Sequence, residues 1–247
     1  MEKLDEQNLP KHIAIIMDGN RRWAKKRDLT TKDGHKAGAK NLETIAKFCN
    51  KIGIKYLTVY AFSTENWKRS KEEVIALMFI LRANLDSMLR KSNLENIKIR
   101  VIGEKENIPN DIAKRIAKLE EKTKENTGLT LNIAFNYGGR AEIVHATKEI
   151  AKKVKSGELD INDITEATIS NNIYTANQPD PDLVIRTSRE IRTSNFLPWQ
   201  ITYSELYFPE KHWPEFTEED LVEGIIEYQH RNRRFGGRPD EVKNNES

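Results

Sequence analysis

The stretch His12-Ile13-Ala14-Ile15-Ile16-Met17-Asp18-Gly19-Asn20-Arg21-Arg22-Trp23 sets the reading of the chain. An apolar, β-rich run ends on a carboxylate, a Gly-Asn turn follows, and a basic helix opens. Five further runs have the same strand character: Tyr56 to Phe62, Ile97 to Ile102, Leu129 to Phe135, Asp182 to Thr187 and Ile201 to Phe208. Segments of helical period fill the gaps. In Asp111 to Leu119, for example, Ile112, Ile116 and Leu119 fall on one stripe with charges opposite, as on a surface helix covering a sheet. Strands alternating with helices predict an α/β fold, with a central, mostly parallel six-stranded sheet flanked by helices. Such sheets collect their chemistry at the carboxyl ends of the strands.

The 247 residues suffice for one large domain, and no Pro/Gly/Ser-rich linker divides them. The expected layout is an N-terminal arm over residues 1–11, one catalytic domain over 12–238 and a polar tail over 239–247. Lys and Arg number 41 against 38 Asp and Glu, so the net charge is only +3 and any anion site must be local. With the arginines at separate strand ends rather than along one stripe, nucleic acid is not the expected partner. The single cysteine, Cys49, sits in apolar-patterned sequence and reads as a buried structural thiol, which excludes a disulfide framework within the chain. No run reaches the roughly 18 apolar residues of a membrane span, and the start Met1-Glu2-Lys3-Leu4-Asp5-Glu6 is too acidic for a signal peptide, so a cytoplasmic protein is expected.

At the end of the first strand, Asp18 stands before a turn whose backbone N–H groups can face an anion. Gly19 permits close approach and Arg22 can add a charged fork. Asp18 is placed to hold Mg²⁺, a cation usually bound by one or two carboxylates and the substrate's phosphates. An N-cap aspartate beside a solvated basic face explains the same residues, and the stretch contains neither a Walker A loop nor a GxGxxG turn. The second strand ends in Ser63-Thr64-Glu65-Asn66-Trp67-Lys68-Arg69. A capping turn accounts for Ser63 and Ser70 but leaves Asn66, Trp67 and Arg69 without a reason.

The fifth strand runs into Arg186-Thr187-Ser188-Arg189-Glu190-Ile191-Arg192-Thr193-Ser194-Asn195. Three arginines with interleaved hydroxyls suit the oxygens of a diphosphate. Glu205, within an aromatic strand, needs a partner, either an arginine or a metal; an ion pair tying the sheet edge is the structural alternative. His35, in Gly34-His35-Lys36-Ala37-Gly38, can donate to a phosphate beside the first turn or serve as a cap. Several cationic clusters, two placed carboxylates and no activated Ser, Cys or Lys together suggest a substrate set with two diphosphate groups.

With those residues in view, the chain resembles the cis-prenyltransferases, also called isoprenyl transferases, the family of undecaprenyl diphosphate synthase. The matching segments are His12 to Lys26, Gly34 to Gly38, Tyr60 to Arg69, Glu73-Val74, Asn132 to Arg140, Asp182 to Trp199 and Arg231 to Gly237, in the family's order and spacing. The resemblance implies a homodimer and an apolar tunnel between sheet and helices, with Met78, Leu81 and Leu85 of the helix from Glu73 to Arg90 along it. The implied reaction is Mg²⁺-dependent condensation of isopentenyl diphosphate with an allylic diphosphate, farnesyl diphosphate being the expected primer. Asp18 and Glu205 would hold the metal, Gly19, Asn20 and Arg22 would cradle the allylic diphosphate, and Arg186, Arg192 and Ser194 would hold isopentenyl diphosphate. Asn66, with Ser63, would sit where the proton is lost. Arg21, Trp23, His35, Thr64, Glu65, Trp67, Arg69 and Thr193 complete the implied substrate-binding set.

Membrane contact is implied only transiently, for release of a greasy product, and the basic segment Arg231 to Arg238 offers either a lipid contact or a dimer contact. Two departures stand out. Thr30-Thr31 replaces the usual Pro-Arg, removing a charge expected at the allylic diphosphate, and Arg189 occupies a position where glycine is common. Arg189 could supply the missing charge. Two alternatives to elongation accompany these departures: a family member making a short or irregular prenyl diphosphate, and a non-catalytic subunit of the same fold.

Overall fold

In a computed structural model of the protein, residues 4–91, 95–106 and 108–231 are described. The expected polar tail and most of the basic C-terminal segment lie outside them. Six strands form one sheet: β1 (His12–Ile16), β2 (Tyr56–Ser63), β3 (Lys98–Ile102), β4 (Thr130–Tyr137), β5 (Leu183–Arg186) and β6 (Glu205–Tyr207), in the order β3-β4-β2-β1-β5-β6. All five pairings are parallel. The helices are α1 (Asn20–Lys25), α2 (Thr31–Ile52), α3 (Lys71–Lys91), α4 (Asn110–Thr123), α5 (Gly139–Ser156), α6 (Glu166–Ser170) and α7 (Glu218–Gln229).

The strands read as near-continuous apolar runs because helices and loops cover both faces. Alternate residues of β1 divide between two cores: Ile13 and Ile15 join Leu57, Val59 and Ile133 on one face, while Ala14 and Ile16 join Tyr137, Val184 and Phe196 on the other. On α4 the buried residues are Ile112, Ile116, Leu119 and Thr123, the stripe that the sequence spacing predicts. The first turn of α2 is fixed by a capping box between Thr30 and Asp33, and the helix stops at Gly53, whose φ of 93° is left-handed. Cys49 is fully buried on this helix, and burial pushes its thiol up to about 12, in keeping with a structural role.

The N-terminal arm is tied down. Leu4 and Leu9 pack on the main core, and Gln229 of α7 exchanges hydrogen bonds with Asp5. The sixth strand is shorter than the run from Ile201 suggests. Residues 201–203 form turns instead, with the Ile201 N–H donating to the Leu197 carbonyl, so only Glu205–Tyr207 pair with β5.

The strand order places β1 in the middle, with β2 on one side and β5 on the other. The chain therefore leaves β1 through α1 and α2 toward one flank and returns on the opposite flank through β5. Loops diverge at such a switch point and leave a crevice at the carboxyl ends of the strands. Asp18, Ser63 and Arg186 stand at that edge.

Candidate active site

At the carboxyl ends of β1 and β5 an ion cluster is built around Arg186. This side chain is 6% exposed; its Nη2 donates to Asp18 Oδ2 at 2.9 Å, and its Nη1 donates to the Arg192 carbonyl at 2.6 Å and to Ser194 Oγ at 2.7 Å. Arg186 Nε is buried and has no partner. Asp18 Oδ1 accepts the Gly19 N–H at 2.6 Å and pairs with Arg22 Nη2 at 3.1 Å. Burial pushes the Asp18 carboxyl up, but the hydrogen bond and charge of Arg186, the charge of Arg22 and the Gly19 N–H outweigh it and hold the group below its usual range. Asp18 is thus ionised at neutral pH.

The bend that presents Asp18 depends on glycine. Gly19 has φ 100°, and a Cβ there would lie 2.1 Å from Ser188 Oγ and 2.7 Å from His212 Nδ1. Ser188 Oγ and His212 Nδ1 are themselves 2.8 Å apart and buried, so they form a floor beneath the turn. Gly38 of α2 allows the start of α1 to seat, since a Cβ there would meet Asn20 Oδ1 at 2.1 Å. That contact sets α2, and with it His35, beside the turn.

A second cationic group lies on the other side of the crevice. Glu73 accepts from Arg69 at 2.8 Å and pairs with Arg21 at 3.8 Å. His35 is pushed down to about 4, by burial first and then by the Arg69 and Arg21 charges, against the opposing charge of Glu73. Its imidazole is neutral at pH 7, and its buried Nε2 has no partner.

Both groups border one cavity of about 1270 Å³. Its polar mouth includes Asp18, Gly19, Asn20, Arg21, Arg22, His35, Ser63, Glu65, Asn66, Arg69, Arg186 and Ser194; its depth is apolar, with Leu42, Leu77, Met78, Leu81, Leu85 and Met88. A smaller cavity of about 100 Å³ shares Ala39, Leu42, Asn84 and Met88 with the first and reaches Ile97, Ile99 and Leu131. Met78, Leu81 and Leu85, expected along a tunnel, line this cavity.

Other expected residues sit elsewhere. Trp67 leans edge-on against Phe62 and donates to Asn136 Oδ1 at 2.7 Å, so it props the turn after β2. Thr64 Oγ1 bonds Glu65, and the Thr193 carbonyl accepts the Phe196 N–H, both local roles. Trp23 flanks the first turn, with the Arg27 guanidinium 4.7 Å above its ring. Arg192 is 59% exposed and paired with Glu190 rather than lining the cavity. The Arg189 guanidinium is turned outward to Glu210, so it does not supply the charge missing at Thr31, which does line the cavity.

Glu205 does not join Asp18 within one chain. It is in register with Leu183, and Leu183 with Ile13, so it lies level with the start of β1, about 16 Å along the strand direction from Asp18. There it pairs with Arg231 at 3.0 Å, the arginine partner that a carboxylate in this strand needs.

Residues that the sequence reading passed over also belong to the mouth. Asn195 bonds Glu65 and the Arg140 N–H, and Tyr60 stacks on Phe196 at 4.6 Å. Asn195 directly follows Ser194 in the same strand-end segment, which was its only signal. Among the described residues no three His, Cys, Asp or Glu side chains converge on a metal position. Asp18, Asp28 and Glu65 are the carboxylates lining the cavity, and Asp18 is the one inside the Arg22–Arg186 cluster, a donor set that suits Mg²⁺ shared with phosphates rather than a protein-built cage.

A parallel α/β sheet with an arginine-lined mouth on an otherwise apolar cavity is a setting suited to amphiphilic molecules with anionic heads. Residues 16–236 match the family described as "Putative undecaprenyl diphosphate synthase". The isoprenyl transferase of Clostridium perfringens is 50% identical, with 95% of this chain and 92% of that protein covered, and the one from Streptococcus pneumoniae is 51% identical over 93% and 92%. Lavandulyl diphosphate synthase from Lavandula x intermedia, solved in complex with dimethylallyl diphosphate, superposes with a TM-score of 0.90 at 39% identity, covering 93% of this chain and 99% of that one. A probable undecaprenyl diphosphate synthase from Campylobacter jejuni gives 0.76 at 34% identity, with 96% and 100% covered. This chain belongs to the undecaprenyl diphosphate synthase family and is a prenyltransferase.

Proposed function

We propose that the enzyme condenses isopentenyl diphosphate with an allylic isoprenoid diphosphate, farnesyl diphosphate being the primer, to make a Z-polyprenyl diphosphate with Mg²⁺ as cofactor. The observation that carries this reading is the union of the Asp18–Arg22–Arg186 cluster with one cavity whose apolar lining includes Leu42, Leu77, Met78, Leu81, Leu85 and Met88. Arg22, Gly19 and Asn20 seat the allylic diphosphate, while Arg186, Ser194 and Arg192 hold isopentenyl diphosphate. His35 adds a neutral donor, and Asn66 with Ser63 is assigned to the proton-loss step.

The charge balance favours a divalent cation. Arg22, Arg186 and Arg192 against Asp18 and Glu190 leave one positive charge, and Arg21 and Arg69 against Glu73 leave one more, still too little for two diphosphates. Asp18, with the substrate phosphates, would hold Mg²⁺, which when bound would supply the remaining neutralisation of the leaving group. The chain's own guanidinium groups are preorganised around the departing oxygens, which lowers the barrier without reorganisation during the reaction. Orientation of two bound substrates and exclusion of water by the apolar wall keep the allylic carbon available to the isopentenyl double bond.

A homodimer, cytoplasmic and touching the membrane only while the product leaves, completes this reading; no helix among the described residues is long and apolar enough to cross a membrane. One observation favours a second reading. The high structural likeness to lavandulyl diphosphate synthase, together with Thr31, points to a short or irregular product. The deep apolar floor favours elongation instead. Incubating the protein with Mg²⁺, isopentenyl diphosphate and dimethylallyl, geranyl or farnesyl diphosphate, with mass spectrometry of the products, separates the two. Long Z-products from farnesyl diphosphate are expected; C10 products alone, with farnesyl diphosphate unused, would replace elongation with irregular coupling.

A further inference from the structure

Glu190 stands between two arginines that the proposed function assigns to different diphosphates. Its Oε1 accepts from Arg22 Nη1 at 2.6 Å, and its Oε2 is bonded by Arg192 Nη1. Arg22 belongs to α1, beside the Gly19 turn. Arg192 follows β5, where its carbonyl is gripped by Arg186. The carboxylate therefore spans the boundary between the two seats, and the two guanidinium groups hold it below its usual pKa range, Arg192 most strongly. The loop that delivers it is tightly bent, with Ser188 at φ 74° and Arg189 at φ 57°. The Ser188 and Arg189 N–H groups are anchored on the Lys211 and Pro209 carbonyls.

We propose that Glu190 is a positioning residue that couples the two diphosphate seats, holding Arg22 and Arg192 together until the first diphosphate displaces it from both. The inference rests on the two-diphosphate reading of this site. A diphosphate seated on Arg22 brings several negative charges to the place that the Glu190 carboxylate occupies. Like charges cannot share it, so the carboxylate leaves the cluster and Arg192 is released in the same event. The first ligand bears the whole displacement penalty, and the second meets a free arginine. By linkage the effect is reciprocal, whichever ligand binds first.

Direct repulsion between two bound diphosphates acts in the opposite sense, so the comparison that isolates Glu190 is between the wild type and a variant lacking its charge. Because Arg22 and Arg192 are 43% and 59% exposed, the effect belongs at the lower end of the usual range for coupling between sites, about fivefold.

The test is titration calorimetry of the full chain with Mg²⁺, using isopentenyl diphosphate and an allylic thiolodiphosphate that cannot ionise. Each ligand is measured alone and with the other saturating, in wild type, Glu190→Gln and Glu190→Asp, with melting temperatures recorded. In Glu190→Gln each ligand alone should bind several-fold tighter, while the coupling factor falls about fivefold relative to wild type. Glu190→Asp keeps the charge and should keep the weaker single-ligand binding. A coupling factor unchanged in Glu190→Gln, or weaker single-ligand binding in that variant, overturns the inference while leaving the two seats intact. Failure of the wild type to bind either ligand removes the two-diphosphate reading and the inference with it.

Discussion

Arg186 Nη2 lies 2.9 Å from Asp18 Oδ2, which joins the ends of β5 and β1 through a guanidinium that is almost wholly buried. The pair ties fold to function, because the carboxylate proposed to receive the metal is the one that keeps Arg186 neutralised. Replacing Asp18 with Asn should therefore lower both stability and activity. A buried donor left with a weaker acceptor costs about 1–3 kcal/mol. Loss of transition-state charge stabilisation should reduce kcat about 100-fold or more. Urea denaturation and steady-state kinetics measure the two effects; a kcat at the parental level would remove Asp18 from the mechanism.

Gly19→Ala addresses the turn itself. The added methyl meets Ser188 Oγ and His212 in a backbone conformation that L side chains rarely adopt, so the turn must shift. A penalty of about 1–3 kcal/mol is expected from the backbone strain. A fall in kcat/KM of at least about tenfold should accompany it, since a small misplacement of positioning groups is costly. Thermal unfolding and kinetics on one preparation test this; wild-type values in both would show that the turn tolerates a side chain.

The fold was legible in the sequence because β1, β4 and β5 are covered on both faces and so appear as unbroken apolar runs. The position of β6 was not. Ile201 and Thr202 have strand-like side chains, but Phe196 and Leu197 fill the second core just before them, and the chain turns on Leu197 before it can pair. The separation of Glu205 from Asp18 within one chain was not legible for a related reason: which end of a three-residue strand lies near the first turn depends on register, and the residue types do not encode it. Asp18, Arg22, Arg186 and Ser194 all follow strand ends in the sequence and meet in one cluster, while their individual roles rest on the family resemblance. His212 was not legible in this way, because it meets Ser188 only through packing across 24 residues.

Acid should destabilise the enzyme in a window that His35 helps to set. Its pKa falls from 6.5 to about 4 on folding, so between those values the unfolded chain binds the additional proton. Stability is then complete above about pH 6.5 and declines as the pH falls toward 4, by at most about 3 kcal/mol for this group. Buried His12 titrates in the same window, so the contribution of His35 is the difference between wild type and His35→Gln. Denaturation curves from pH 7 to pH 4 should be flatter for the variant; parallel curves would mean that His35 is protonated in the fold.

Thr31→Arg tests the charge missing from the mouth. Thr31 begins α2 and lines the cavity with Arg21, Lys25 and His35, while Arg189 is committed to Glu210. A guanidinium at position 31 should add a charge-assisted contact to the allylic diphosphate, worth about 1.5 kcal/mol or more, equivalent to about a tenfold lower KM for the allylic substrate. The KM for isopentenyl diphosphate should not change. No change in either KM or in kcat would place the allylic head group out of reach of this residue.

Product release should limit multiple turnover if the cavity holds a growing chain. Each methylene buried adds about 0.8 kcal/mol, so each five-carbon unit adds roughly 3–4 kcal/mol to retention against the wall formed by Leu42, Leu77, Met78, Leu81, Leu85 and Met88. Condensation is opposed by no such term, because the new unit enters from the polar mouth while the older units move deeper. Retention therefore rises with every cycle, and departure of the finished chain becomes the slow step. A detergent micelle or lipid surface offers the emerging chain an apolar destination and should raise the multiple-turnover rate severalfold without altering the single-turnover rate. Equal multiple-turnover rates with and without detergent, with long products confirmed by mass spectrometry, would place the slow step in the chemistry at Asp18 and Arg186.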